Sequence, residues 1–431
     1  MNIQTAIKPT NAEQALMDAF GQAVGSLPGD AAITTQRSTL LRAIKEAGFP
    51  TRRRESWHYT DLRSLLRTMP APGATSVKSV APIVEGSIVL TLLNGEAVKP
   101  ANAGGVNVKS FAESLSDGSA LKGLTVRDDD DFTGRLNGSF VRDGFVLDFP
   151  DGFEGEKPVE IQSVQGGGQN HSRIPVRFGK AVKATVIERH VAQGETGALI
   201  SSVSDITLGD GSEVTWIVMQ QQGKDDSHFG QLRIKLGKAS KLRLYVINAG
   251  GRLVRQDLYI DVDGEHSELT LRGINLLGGD THTDVTLVLG HNVENTSSTE
   301  VMRNVVFDRA KGVFQGQIRV APGAQKTDAK MSCNTLLLSD EADFSAKPEL
   351  EIFADDVVCG HGATVAQMDG EQLFYLMARG LPRPQAEALV LQAFAGEAVE
   401  FVADEDLRAF VMAEIQAWLS LREASSVVST V

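Results

Sequence analysis

The chain has 431 residues, 42% of them hydrophobic, which is enough for two or three domains with a sizeable core. A formal net charge of -13 disfavours a broad nucleic-acid footprint or attachment to an anionic membrane, because both rely on cationic neutralisation of phosphate. No apolar run reaches membrane-spanning length, and the start MNIQTAIKPTNAEQ lacks the basic and then apolar sections of a secretory signal, so a cytoplasmic location is expected. With only Cys333 and Cys359 present, there is neither a disulfide framework nor a closed four-cysteine metal site.

Residues 1–70 read as a helical domain. Asn11 with Gln14 resembles a capping box ahead of Leu16, Ala19 and Phe20, and the break over residues 25–29 contains Pro28. A second helix carries Leu40, Leu41, Ile44 and Ala47 at helical spacing and stops at Gly48 and Pro50. Arg52, Arg53 and Arg54 read as a solvated face, Trp57 and Tyr59 as anchors onto a neighbouring domain, and Thr60 as the cap of a short third helix. Residues 71–136 form a mixed α/β connecting region, with a strand pair around Asn94 and Gly95 and a short helix in VKSFAESLSDG.

From residue 137 to 366 the texture is β: short runs of Val, Ile, Leu and Thr punctuated by Gly, Asp and Asn. Corners at Gly209, Gly237, Gly264 and Gly290 recur with a period of about 26 to 28 residues, the range of stacked repeats. A parallel β-helix explains the pattern, since a single rung cannot bury its apolar face alone. A β-sandwich is the competing fold. Residues 367–431 return to helix. Asp369 reads as an N-cap with Glu371 in the first turn, and Leu373, Phe374, Leu376 and Met377 can line one face before Gly380. Pro384 opens a further helix, and Leu407, Phe410, Val411, Ile415, Trp418 and Leu419 mark the apolar face of the last, ahead of a frayed SSVVSTV end.

The chemistry is notable for what is missing. There is no phosphate-cradling G-x-x-x-x-G-K-[ST] loop, hence no nucleotide site in this chain, and neither a nucleophile elbow nor an HExxH pattern. His190, His266, His282 and His291 read as corner or surface histidines, and Cys333 as a small buried hydrophobe. Cys359 and His361 stand two apart. On an extended backbone they project from one face, so a thiolate and an imidazole could reach one metal or one partner surface, although a Cys-x-His pair is equally readable as packing. Two ligands cannot hold an iron-sulfur cluster alone, so any cluster would be shared with another subunit.

The run SCNTLLLSDEADFSAKPELEIFADDVVCGHGATVAQMDGEQLFYLMARGL resembles the signature of the SufB/SufD family of the Suf iron-sulfur cluster assembly system. The upstream RRRESWHYTDLRSLL and LNGSFVRDGFVLDFPDG resemble its D branch. The resemblance implies a mainly β fold, with a right-handed parallel β-helix core between N-terminal and C-terminal α-helical domains. It also implies a scaffold subunit, not an enzyme, that pairs with a SufB-like protein through the core and holds the ATPase SufC on its C-terminal helices. A transient iron-sulfur cluster would then be shared with SufB. Within the resemblance, His361 is the candidate metal ligand at the SufB interface, Cys359 a second, and Phe374, Tyr375 and Arg379 the SufC-docking helix. The sulfur-accepting cysteine would be the partner's, because no cysteine precedes Cys333.

Two other readings are a homodimeric β-helix docking module without a cluster role and a carbohydrate-active β-helix enzyme using Asp355 and Asp356. Adjacent strand residues point to opposite faces and only 6% of residues are aromatic, both of which count against the enzyme.

Overall fold

A computed structural model describes residues 8–71, 73–400, 402 and 404–428, with side chains described up to residue 420. Helix α1 (Asn11–Ala23) is capped by Thr10 rather than Asn11. The Thr10 hydroxyl accepts from Glu13 N at 3.2 Å, and Glu13 accepts from Thr10 N at 2.6 Å. The register is set by tertiary contacts, since Glu13 also accepts from Phe49 N at 2.7 Å and pairs with Arg63 at 3.2 Å. Helix α2 (Ala31–Ala47) starts on an Asp30 cap and ends on Gly48, whose φ of 70° a side chain would resist. The short α3 (Leu62–Leu65) is capped by Asp61 and not by Thr60, which is buried and serves the interface described below.

The connecting region supplies the hairpin β1 (Ile88–Leu93) and β2 (Glu96–Ala97), then β3 (Asn107–Ser110), α4 (Phe111–Ser116) and α5 (Phe132–Phe140). Asn94 and Gly95, with φ of 50° and 81°, make the hairpin turn that the Asn-Gly pair predicts. The solenoid proper begins with β4 (Asp143–Phe149), β5 (Val159–Gln165), β6 (Gly168–Phe178) and β7 (Lys183–Ala192). It continues through β8 (Ala198–Leu208), β9 (Glu213–Gln221), β10 (Ser227–Leu236), β11 (Lys241–Asn248), β12 (Leu253–Val262) and β13 (Glu268–Leu277). Its last turns are β14 (His282–His291), β15 (Ser297–Val306), β16 (Lys311–Val320), β17 (Asp328–Leu337), β18 (Asp343–Ile352) and β19 (Val358–Ala366).

Odd-numbered strands from β5 to β19 stack in one sheet and even-numbered strands from β4 to β18 in the other, each pairing in parallel with the strand two later. That is a parallel β-solenoid, and it excludes the sandwich, whose strands would pair antiparallel. Phe178, Leu208, Leu236, Val262, His291, Val320 and Ile352 form one column. Gly179, Gly209 and Gly237 follow it at one corner, where a Cβ on Gly209 would sit 2.5 Å from Gly179 O. Gly264 and Gly290 miss that column because turn length varies, and Gly290 lies inside β14.

Both faces of the sheets are covered over much of their length. The interior packs Leu, Ile, Val and Phe from both sheets, including Trp216 and Phe314. The outer face of the odd sheet, through Ile217, Tyr245, Ile274 and Val305, receives the C-terminal helices. These are α7 (Arg383–Gly396) and α8 (Glu405–Val428), preceded by α6 (Gly370–Ala378), which packs on α7, with Leu407, Val411, Ile415 and Leu419 of α8 buried as their spacing predicts. Pro384 occupies the first turn of α7, one position later than expected. The last residues of the expected frayed end, 429–431, lie outside the described residues.

The outer face of the even sheet, through Leu199, Phe229 and Leu253, receives the N-terminal helices. Trp57 is an anchor there, with its ring 4.1 Å from the Arg255 guanidinium and edge-on to Phe132. Of the four histidines expected at corners or on the surface, only His266 is exposed. His190, His282 and His291 are buried and hydrogen-bonded to Glu188, to Thr60, and to Thr296 with Ser298, respectively. Both sheet faces here lie under other structure, so polar strand residues fall into protected networks.

One such network is an amide ladder inside the odd sheet. Asn248, Asn275 and Asn304 occupy one register column. Asn248 Nδ2 donates to Asn275 Oδ1 at 2.6 Å, and Asn275 Nδ2 donates to Asn304 Oδ1 at 2.7 Å. Asn304 Nδ2 passes the chain to Thr335 Oγ1 at 3.0 Å and Cys333 Sγ at 3.3 Å. Asn275→Ala leaves a buried donor above and a buried acceptor below without partners, and is expected to destabilise the chain by about 2–4 kcal/mol. A urea-unfolding midpoint unchanged in that variant would contradict the ladder's role.

Candidate functional site

The two ends of the solenoid differ. At the first turn, the short antiparallel strands β2 and β3 blunt the sheet edges. At the last turn, β18 and β19 are full-length edge strands, each the terminal member of its sheet. Apolar residues are open there, with Val358 61% exposed and Phe353, just past β18, 55%, and Ile352 and Val365 also open, alongside the charged Lys347, Glu349 and Glu351 of β18. Long, exposed edge strands with open apolar residues are surfaces for another chain.

Register places the chemistry at this end. In β17, Ala329, Met331 and Cys333 are buried among the interior side chains, and they pair with Cys359, His361 and Ala363 of β19. Cys359 and His361 therefore sit on the same inward row, with Cys359 half-buried against the core and His361 exposed where no further turn covers it. The extended backbone of β19 brings the two together on one face, as their spacing predicts. No cluster of three or more His, Cys, Asp or Glu side chains able to hold a metal occurs among the described residues. The pair is at most part of a coordination sphere.

Burial pushes the Cys359 thiol above its ordinary value of 9.0, with the charges of Asp328 and Glu300 adding to the shift and a hydrogen bond from the Ala329 backbone opposing it. Burial raises Cys333 to about 12. Both are thiols at neutral pH in the isolated chain. At about pH 8, iodoacetamide is expected to label Cys359 slowly and Cys333 only after unfolding, with the Cys359 rate rising as pH climbs through its elevated value. Mass-spectrometric mapping checks this, and equal labelling of both cysteines in the folded chain would contradict it.

Sequence reading missed Glu300. It lies on the column Leu271, Glu300, Met331, His361, two turns behind the histidine, and it is fully buried with no hydrogen-bond partner of normal geometry on either oxygen. Burial raises its carboxyl to about 8, with Ser298 and Arg272 only partly offsetting the effect. Its separation from His361 by two solenoid turns is visible only once the register is known.

Beyond β19 the chain enters α6 on the expected Asp369 cap, whose carboxylate accepts from Glu371 N at 2.8 Å. Leu373 alone of this helix is buried, whereas Phe374 is 73% and Tyr375 56% exposed. The Arg379 guanidinium stacks 4.5 Å from the Tyr375 ring centroid, and Phe374, next in sequence to Tyr375, is likewise exposed. Phe374 and Met377 do not share the buried face with Leu373 that their spacing suggests.

Residues 161–394 match the family model described as SUF system FeS cluster assembly, SufBD core domain. The chain belongs to the SufBD family. The matched span runs from β5 through the open end and α6 into α7. The chain is 28% identical over 408 residues to the iron-sulfur cluster assembly protein SufD of Escherichia coli, covering 87% of this chain and 90% of that protein. It is 36% identical over 202 residues to a SufBD family protein of Synechocystis, covering 46% and 44% of the two chains. Against SufD of Bacillus subtilis it is 26% identical over 289 residues, 65% of each. It is thus a SufD-like iron-sulfur cluster assembly protein of the SufBD family. No described helix is long and apolar enough to cross a membrane.

Proposed function

We propose that this chain is a non-hydrolytic scaffold subunit whose open solenoid end pairs with a SufB-like protein, and that His361 and Cys359 supply its share of ligands to a cluster assembled at that junction. The observation that carries this reading is the inward row at the uncovered last turn, where His361 and Cys359 lie at the end of two full-length edge strands with open apolar residues. A partner adding its own edge would hydrogen-bond β18 and β19, bury Phe353 and Val358, and bring further ligands to the incomplete pair. The cluster is cargo, built there and passed on. Metal binding requires the Cys359 thiolate and neutral His361 imidazole, so loading releases protons and weakens on acidification.

The Phe374, Tyr375 and Arg379 patch is the proposed seat of a SufC-like ATPase, which would supply the nucleotide chemistry that this sequence lacks. Its exposed aromatic pair and stacked guanidinium have the composition of an interface hot spot. Phe374→Asp is expected to weaken ATPase binding by at least about ten-fold, because hot-spot truncations cost upward of about 2 kcal/mol, without altering pairing with the SufB-like protein. Calorimetric titration of each partner into the variant separates the two surfaces, and wild-type ATPase affinity would reject the patch. The site of action is the cytoplasm.

The pairing itself is tested by gel filtration of the purified chain with and without a SufB-like protein, and again with Val358→Asp. A mixed complex lost in the variant supports the reading. A homodimer that resists the SufB-like protein supports the docking-module alternative. Asp355 and Asp356 do not offer a glycosidase pair, since Asp356 is engaged by Lys326 in an exposed corner.

A further inference from the structure

Far from the open end, α1 and the first turns of the solenoid enclose a half-open cavity of about 310 Å³. Five segments remote in sequence build it. Ala19 and Ala23 of α1, with Phe140 from the end of α5, form an apolar wall, while Glu96, Arg142 and His171 supply polar groups.

Neither charged side chain in this cavity is paired by the protein. Arg142, half-buried, makes no side-chain ion pair or hydrogen bond among the described residues, and neither does Glu96, which is exposed at the cavity mouth. Arg142 also lies within electrostatic reach of Arg37, whose pKa is lowered to about 10 by burial and by the Arg142 charge. Arg37 has backbone carbonyls of Pro28, Gly138 and Ser139 as partners and no carboxylate. Two guanidinium groups held near one another without an anion leave a positive field in a partly desolvated space. His171 does not relieve it. Its Nδ1 meets Ser201 Oγ at 2.8 Å, and its fully buried Nε2 has no partner. Burial, with Arg142 and Arg37 adding, lowers its pKa to about 3, so the ring is neutral and brings no charge to the cavity.

We propose that this cavity binds a free amino acid, with its carboxylate on Arg142, its ammonium against Glu96, and its side chain along Ala19, Ala23 and Phe140. A planar carboxylate suits a guanidinium fork, and Glu96 on the same lining supplies the opposite charge that a zwitterion needs. The volume lies at the lower limit for small-molecule sites, which fits an amino acid and is too small for a nucleotide or flavin. None of these residues lies at the open end or on α6, so the site is separate from the proposed cluster and ATPase surfaces.

The test is isothermal titration of the full-length chain with each standard amino acid, using acetate, inorganic phosphate and butylamine as single-function probes. Saturable binding of at least one amino acid is expected, weakened at least about ten-fold by Arg142→Ala and by the isosteric Glu96→Gln, each loss corresponding to one missing charge-assisted contact. Neither side chain has an internal partner, so both variants should keep the wild-type melting temperature, and Glu96→Gln preserves shape if Arg142→Ala does not. Absence of binding by every amino acid at millimolar concentration would overturn the proposal. So would equal affinity for acetate or phosphate, which would mark an anion site only, or undiminished binding by both variants.

Discussion

Replacing His361 by alanine is expected to reduce the iron and sulfide retained by the complex with a SufB-like protein by at least about ten-fold, the lower range for losses at a metal's coordinating shell. The complex itself should survive. His361 is exposed on the last turn, and its removal takes no contact from the solenoid core. Cys359→Ala should have a smaller effect, because that thiol is half-buried, is protonated at neutral pH and needs a proton removed before it can bind metal. Double replacement distinguishes two ligands from one: additive losses would assign both, whereas a loss equal to that of His361→Ala would assign the histidine alone. Wild-type iron and sulfide in His361→Ala would remove it from the ligand set while leaving the family assignment untouched.

The second large effect concerns how the N-terminal helices stay on the solenoid. Arg255 of β12 is almost fully buried between Asp257 at 2.9 Å and Asp284 at 2.6 Å, beneath the Trp57 ring. Burial alone would lower its pKa, but the two carboxylates outweigh that and hold it above the ordinary value. From this arginine the network spreads into the N-terminal part of the chain. Thr60 donates to Asp284 and meets His282 Nε2 at 2.9 Å, while Thr133 of α5 donates to Asp257 at 3.0 Å. Removing one partner of a buried ionic group leaves uncompensated charge, so Arg255→Ala is expected to cost about 3–5 kcal/mol. The loss should appear in urea unfolding as early release of the N-terminal helices, followed by Trp57 fluorescence. Arg255→Met keeps most of the volume without the charge and should be nearly as destabilising, because both carboxylates remain. Wild-type stability in either variant would show that the carboxylates find other partners.

The solenoid was legible because its corners recur: Gly209 and Gly237 stack in adjacent turns, and apolar runs between them alternate with polar corners. Its exact register was not legible, since turns differ in length and a shift of one residue changes the face of every side chain. That is why Gly264 and Gly290 were misplaced and why Glu300 behind His361 went unseen. The helical caps show a related limit. Asp369 could be read from local sequence, whereas Thr10 displaced Asn11 because Glu13 is held by Phe49 and Arg63 across the N-terminal domain. His282 was misjudged for a third reason. Half-exposed strands would put polar residues in solvent, but here the terminal helices cover the outer faces, so His282 lies beneath Thr60 instead. By contrast, Cys359 and His361 could be paired from their spacing alone, because two residues apart on any strand means one face.

The central claim, that the open end is a shared assembly junction, is tested most directly by anaerobic co-purification of the tagged full-length chain from its own cells, with bound proteins identified and iron and acid-labile sulfide quantified. The expected result is recovery of a SufB-like protein and an ATP-binding-cassette ATPase, with iron and sulfide that fall when His361 is replaced by alanine. Recovery of neither protein, or of the chain only as a metal-free homodimer, would contradict it.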